Sequence, residues 1–85
     1  MPAYTPPPDA YYTELAFPVG LDPMYYMGRD GWQFKHITEL SKCEYIWYDF
    51  NRRVIEIWGY QENWITKAKR MLDKRIKQMI INLNK

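Results

Sequence analysis

Eighty-five residues make one domain, and a domain of this size buries only about 60% of the surface that its unfolded chain exposes. A content of 47% hydrophobic and 18% aromatic residues excludes a disordered chain, while a net charge of +2 is too small to announce nucleic-acid binding by itself. The single cysteine, Cys43, excludes an internal disulfide and a multi-cysteine zinc site, and no run approaches the roughly 18 apolar residues of a membrane span.

Residues 1–12 hold four of the six prolines, in Pro2 and Pro6-Pro7-Pro8, together with Tyr4, Tyr11 and Tyr12. They read as an extended N-terminal arm with polyproline character, and residues 13–85 as the domain. The start of the chain has no charged-then-apolar secretory pattern, so the expected setting is intracellular, cytoplasm or nucleus, without a membrane. From Thr13 to Val19, Leu15, Phe17 and Val19 alternate with Glu14, Ala16 and Pro18, which predicts a short strand. Asp22-Pro23 is a helix start, with Asp as the cap and Pro at the first helical position, and Gly28 stops that helix after Met27.

Between Trp32 and Ser41, Phe34, Ile37 and Leu40 recur at three-residue spacing and predict a second helix with one buried stripe. Tyr45-Ile46-Trp47-Tyr48 and Val54-Ile55-Glu56-Ile57-Trp58 are rich in residues that favour strands, and the segment between them makes a hairpin. After Gly59, the positions Trp64, Ile65, Ala68, Met71, Leu72, Ile76, Met79 and Ile80 follow the spacing of an amphipathic helix. The predicted class is α+β: a three-stranded antiparallel sheet packed on three helices in the order β-α-α-β-β-α.

Charge is distributed unevenly. Residues 1–30 carry Asp9, Glu14, Asp22 and Asp30 against Arg29 alone, whereas residues 61–85 carry seven Lys or Arg against Glu62 and Asp73. Most of the latter, among them Lys67, Lys69, Arg70, Lys74, Arg75 and Lys77, read as the solvated outer face of the last helix. Catalysis finds no support, and an enzyme is not expected. His36, the only histidine, lies mid-helix beside Lys35, Ser41 has no G-x-S-x-G context, Cys43 has no nearby histidine in sequence, and no carboxylate pair stands at metal-ligand spacing. No cofactor and no metal are expected. Four Trp and eight Tyr exceed what a core of this size needs, which predicts aromatic residues on a surface that meets a partner.

The stretch Gly28-Arg29-Asp30-Gly31-Trp32-Gln33-Phe34-Lys35-His36-Ile37 resembles the K-homology (KH) pattern G-x-x-G-x-x-apolar-K-x-I, in its type I element order. Ile55-Glu56-Ile57-Trp58-Gly59 and the last-helix set Ile65, Ala68, Leu72 and Ile76 continue the likeness over residues 13–80. The resemblance implies a cleft for about four nucleotides of single-stranded RNA, with single-stranded DNA as a possible substitute. Its loop Gly28, Arg29, Asp30 and Gly31 would lie against the backbone, and Met24, Met27, Phe34, Lys35, Tyr45 and Trp47 would form the walls. Two glycines let such a loop approach a phosphate, and the helix that follows points its first N–H groups at the anion.

The family register would turn Tyr45, Trp47, Ile55 and Ile57 towards the helices. Ile46, Tyr48, Val54 and Trp58 would then face away as an interaction surface for the arm, a second copy or another protein. Asp30 departs from the family pattern, because a carboxylate beside the phosphate repels it or pairs with Arg29, so affinity per domain is expected to be weak. The alternative reading is a KH-fold assembly module that uses the aromatic sheet face and the arm.

Overall fold

Ile65, Ala68, Leu72 and Ile76 return every three or four residues, so a helix that carries them presents one apolar line. In the computed structural model, which describes residues 9–83, they form the buried side of the long helix α3 (Glu62–Leu83). Before it come β1 (Tyr11–Ala16), α1 (Pro23–Met27), a 3-10 turn at Arg29–Gly31, α2 (Trp32–Ser41), β2 (Tyr45–Asp49) and β3 (Val54–Gly59). The architecture is α+β, a three-stranded antiparallel sheet in the order β1-β3-β2 with three helices.

Local chemistry explains the short elements. Asp22 caps α1, its Oδ1 accepting from the Met24 amide at 2.9 Å, and Gly28 closes the helix by donating its N–H to the Met24 carbonyl at 3.2 Å. Tyr26 on α1 is buried, and its hydroxyl donates to the Leu72 carbonyl at 2.7 Å, which fixes this five-residue helix against α3. In α2 the buried positions are Phe34, Ile37 and Ser41, and Leu40 is exposed. A strict three-residue repeat drifts off a face of 3.6-residue period, so Ser41 takes the inward place and donates to the Ile37 carbonyl. Cys43 is buried, and that burial pushes its thiol above the ordinary value.

The first strand starts and ends earlier than expected. Tyr11 and Tyr12, assigned by composition to the arm, open β1, and the strand stops at Ala16 because Pro18 has no N–H to continue the ladder. Phe17 turns into the core beside Tyr26 and Tyr48, ring centroids 5.3 Å away in each case, while Val19 is 89% exposed. The proline arm itself, residues 1–8, lies outside the described residues.

The register of β2 is the opposite of the family-based expectation. Ile46 and Tyr48 point into the core with Ile55 and Ile57, and Tyr45 and Trp47 occupy the outer face with Val54 and Trp58. The cause is the hairpin loop. Asp49 still belongs to the ladder, opposite Val54, so four residues rather than five make the turn. Asp49 holds it closed: its carbonyl accepts from the Arg53 amide at 2.8 Å and its Oδ1 from the amides of Asn51 and Arg52. One residue of slip exchanges the two faces of a strand. Ile46 and Tyr48 are therefore core residues, and Tyr45 and Trp47 do not line the helix side of the sheet.

Candidate nucleic-acid interface

Gly28-Arg29-Asp30-Gly31 joins α1 to α2 at one end of the molecule. Gly28 has φ 79° and ψ 173°, a region open to glycine almost alone, and Gly31 is left-handed at φ 71°. A Cβ on Gly28 would lie 2.8 Å from the indole nitrogen of Trp32, so this glycine also makes room for that ring. Asp30 stands at φ 56°, a left-handed conformation that Asp and Asn adopt more readily than other side chains. The backbone thus supplies a reason for the residue that breaks the sequence pattern. The loop spends amides on its own turn: Gly31 N–H donates to the Gly28 carbonyl and Trp32 N–H to the Arg29 carbonyl. Arg29 and Asp30 are exposed and form no ion pair with each other, which leaves Arg29 available to an anion.

Two grooves flank the first turns of α2. The smaller, about 230 Å³, lies between α2 and the edge strand β2 and is bordered by Phe34, Lys35, Thr38, Glu39, Tyr45 and Ile46. Of the expected wall residues it brings together Phe34, Lys35 and Tyr45, although Phe34 is almost wholly buried and offers only an edge. The larger groove, about 1300 Å³ and open to solvent, lies on the other flank between the loop, α1 and the last turns of α3. Met24, Gly28, Arg29 and Asp30 line it, with Tyr25, Trp32, Lys74 and Arg75 among the residues that sequence reasoning did not place at the site. Met27 is half-buried against the core, and Trp47 lies on the far face of the sheet.

Tyr25 is 78% exposed and Trp32 50%, both beside the loop. A sequence signal for Tyr25 existed: Asp22 caps α1, and of the adjacent pair Tyr25-Tyr26 a helix can bury only one. For Lys74 and Arg75 there was none, because a solvated basic face and a groove wall have the same spacing.

The outer sheet face is built differently. Tyr12, Trp58 and Tyr45 pack in tilted contacts across all three strands, with centroids 5.3 and 6.1 Å from the central ring, and Trp58 is only 7% exposed. Beside them Arg52 bridges Glu14 of β1, Asp49 of β2 and Glu56 of β3, at 3.0 Å from each of the last two. The Tyr12 hydroxyl donates to Glu14 and Glu56. That bond from Tyr12, and then Arg52, hold the Glu14 carboxyl below its ordinary range; Arg52 does the same for Asp49. Three carboxylates around one guanidinium make this half of the face a poor surface for a polyanion.

Among the described residues, no group of three or more His, Cys, Asp or Glu could hold a metal ion, and no helix is long and apolar enough to cross a membrane. No family model, curated protein or solved structure matches the chain.

Proposed function

We propose that the chain binds single-stranded RNA, weakly per domain, at the end of the molecule built by the glycine loop. The observation that carries this reading is the exposed Arg29, in no ion pair among the described residues, between two positive-φ glycines and beside the half-exposed Trp32. A cation on a tight loop suits a phosphate, and a flat exposed ring suits an unpaired base. The KH-like pattern over Gly28–Ile37 and the strand-helix-helix-strand-strand-helix order support the same conclusion, and Lys35 and Tyr45 beside the α2–β2 groove suit the bases of the bound strand. Duplex RNA is disfavoured, because the narrow groove between α2 and β2 suits splayed bases rather than a helix.

Fluorescence anisotropy with labelled homopolymer RNAs at two salt concentrations tests the reading. Single strands are expected to bind more tightly than a duplex, and Arg29→Asp to weaken binding by more than about tenfold with the fold unchanged. Equal affinity for both forms, or a flat response to Arg29→Asp, removes RNA binding as the function.

A second reading, the assembly module, is favoured by one observation: Trp47, a partly exposed ring, stands on the outer sheet face rather than among the helices. In that case Trp47→Ser alters sedimentation or partner capture, and Arg29→Asp leaves RNA binding unchanged.

A further inference from the structure

The flank of the loop that faces α3 is the larger one, and it shares Met24 and the loop itself with the KH-like cleft. Tyr25 and the half-exposed Trp32, whose ring centroid lies 6.0 Å from that of His36, line it, and Lys74 and Arg75 line it from α3. Neither cation forms an ion pair among the described residues, in contrast to Lys77, which is held by Asp73 at 2.9 Å one turn along the helix. Gln33 and Gln78 also line it, and the Gln78 amide donates to the Asn82 side-chain oxygen at 3.3 Å. Each class of residue has a matching part in a nucleotide strand: cations follow phosphates, ring faces stack bases, and amides pair with base edges. At about 1300 Å³ the groove exceeds the usual 300–1,000 Å³ of a small-molecule pocket, so a polymer fills it better than a metabolite does. A second copy of the chain suits it less, since the core of a protein interface is depleted in Lys and Lys74 on this wall forms no ion pair among the described residues.

We infer that this groove is a second subsite for the same RNA strand, taking the nucleotides that run past the loop. The inference rests on the RNA-binding reading and extends the footprint beyond about four nucleotides. Asp22 and Asp30 border the groove at its loop end, so the strand's phosphates follow Lys74 and Arg75, with the bases turned to Tyr25 and Trp32.

The test compares oligouridylates of about four and about ten nucleotides on the whole chain, with anisotropy for the longer and amide chemical shifts for the shorter. The groove variant is Lys74→Glu with Arg75→Glu. Its control is Lys67→Glu with Arg70→Glu, the same change of charge on exposed α3 positions outside the groove. The groove variant is expected to lose about tenfold or more on the long oligomer and less than about twofold on the short one, and the control less than about twofold on both. If the wild-type chain binds neither length, the RNA reading falls and the subsite with it. If both lengths bind and the groove variant lowers them equally, or lowers neither, only the subsite is overturned. A dimer that the groove variant dissolves while RNA affinity stays unchanged assigns the groove to a second copy and overturns it as well.

Discussion

The two aromatic regions of this molecule use the same residue types to opposite ends. On the outer sheet face, Trp58 lies between Tyr12 and Tyr45, and the nearby charges converge on Arg52. At the glycine loop, Tyr25 is largely exposed and Trp32 half-exposed, and Arg29, Lys74 and Arg75 lack ion pairs among the described residues. Aromatic content therefore does not locate a binding surface by itself. What separates the two regions is whether the tryptophan is covered and whether the charges have found partners among the described residues.

Substituting one tryptophan in each region tests this contrast most strongly. Trp58→Ser removes a covered ring from the centre of the sheet and is expected to cost about 3 kcal/mol or more. Trp32→Ser removes a half-exposed ring and should cost under about 1 kcal/mol, yet lower RNA affinity several-fold through lost stacking of roughly 1–3 kcal/mol per base. Urea denaturation and anisotropy on both variants decide the matter. If the two variants exchange these effects, the assignment of the regions is reversed.

Gly28→Ala comes next in size. The substitution places a Cβ at a φ, ψ pair nearly reserved for glycine and drives it against the Trp32 indole, so a loss of about 2 kcal/mol is expected, with a shift in Trp32 fluorescence. A variant as stable as the wild type, with unchanged fluorescence, would contradict the close packing of loop and ring.

On the sheet face the sharper probe is acid. Glu14 and Asp49 are held below their ordinary values of 4.5 and 3.8, so each contributes stability that is present above those values and is lost as pH falls through the lower, folded ones. Arg52→Gln removes the main cause of the Asp49 shift and the second cause of the Glu14 shift, while the bond from Tyr12 to Glu14 remains. Urea midpoints at about pH 7 and about pH 3 should then differ less in Arg52→Gln than in the wild type. An unchanged difference would mean that the guanidinium does not couple the three strands.

How far the sequence carried these conclusions varied with the kind of signal. The last helix was legible because Ile65, Ala68, Leu72 and Ile76 repeat over several turns, and α1 because Asp22-Pro23 opens it and Gly28 closes it. β3 was legible because Glu56 marks its outer face between Ile55 and Ile57. β2 was not, since Tyr45-Ile46-Trp47-Tyr48 offers no polar residue to mark a face and the choice fell to the length of the turn. Whether Asp49 ends the strand or begins the loop depends on a carboxylate capping two amides, and that single residue decided which aromatics went inward. Of the site, the loop was visible in its two glycines. The groove on its α3 flank was not, because it forms only when the last turns of a distant helix come to lie beside that loop.

Asp30 gives the smallest expected effect and the closest reading of the loop. Its φ of 56° suits Asp or Asn, so Asp30→Asn keeps the backbone preference and removes only the charge. If the loop meets a phosphate, that change lifts a repulsion and affinity should rise about two- to threefold, with stability unaltered. Asp30→Lys adds an attractive charge and should raise affinity further and steepen the salt dependence by about one counterion, at a folding cost of up to about 1 kcal/mol for a long side chain held left-handed. Comparing the two separates charge from conformation. A gain with Lys and none with Asn would mean that the carboxylate stands clear of the phosphate and the new ammonium reaches one elsewhere. A loss with Asn would mean that the carboxylate accepts a hydrogen bond from the ligand, so that this position reads a base rather than the backbone.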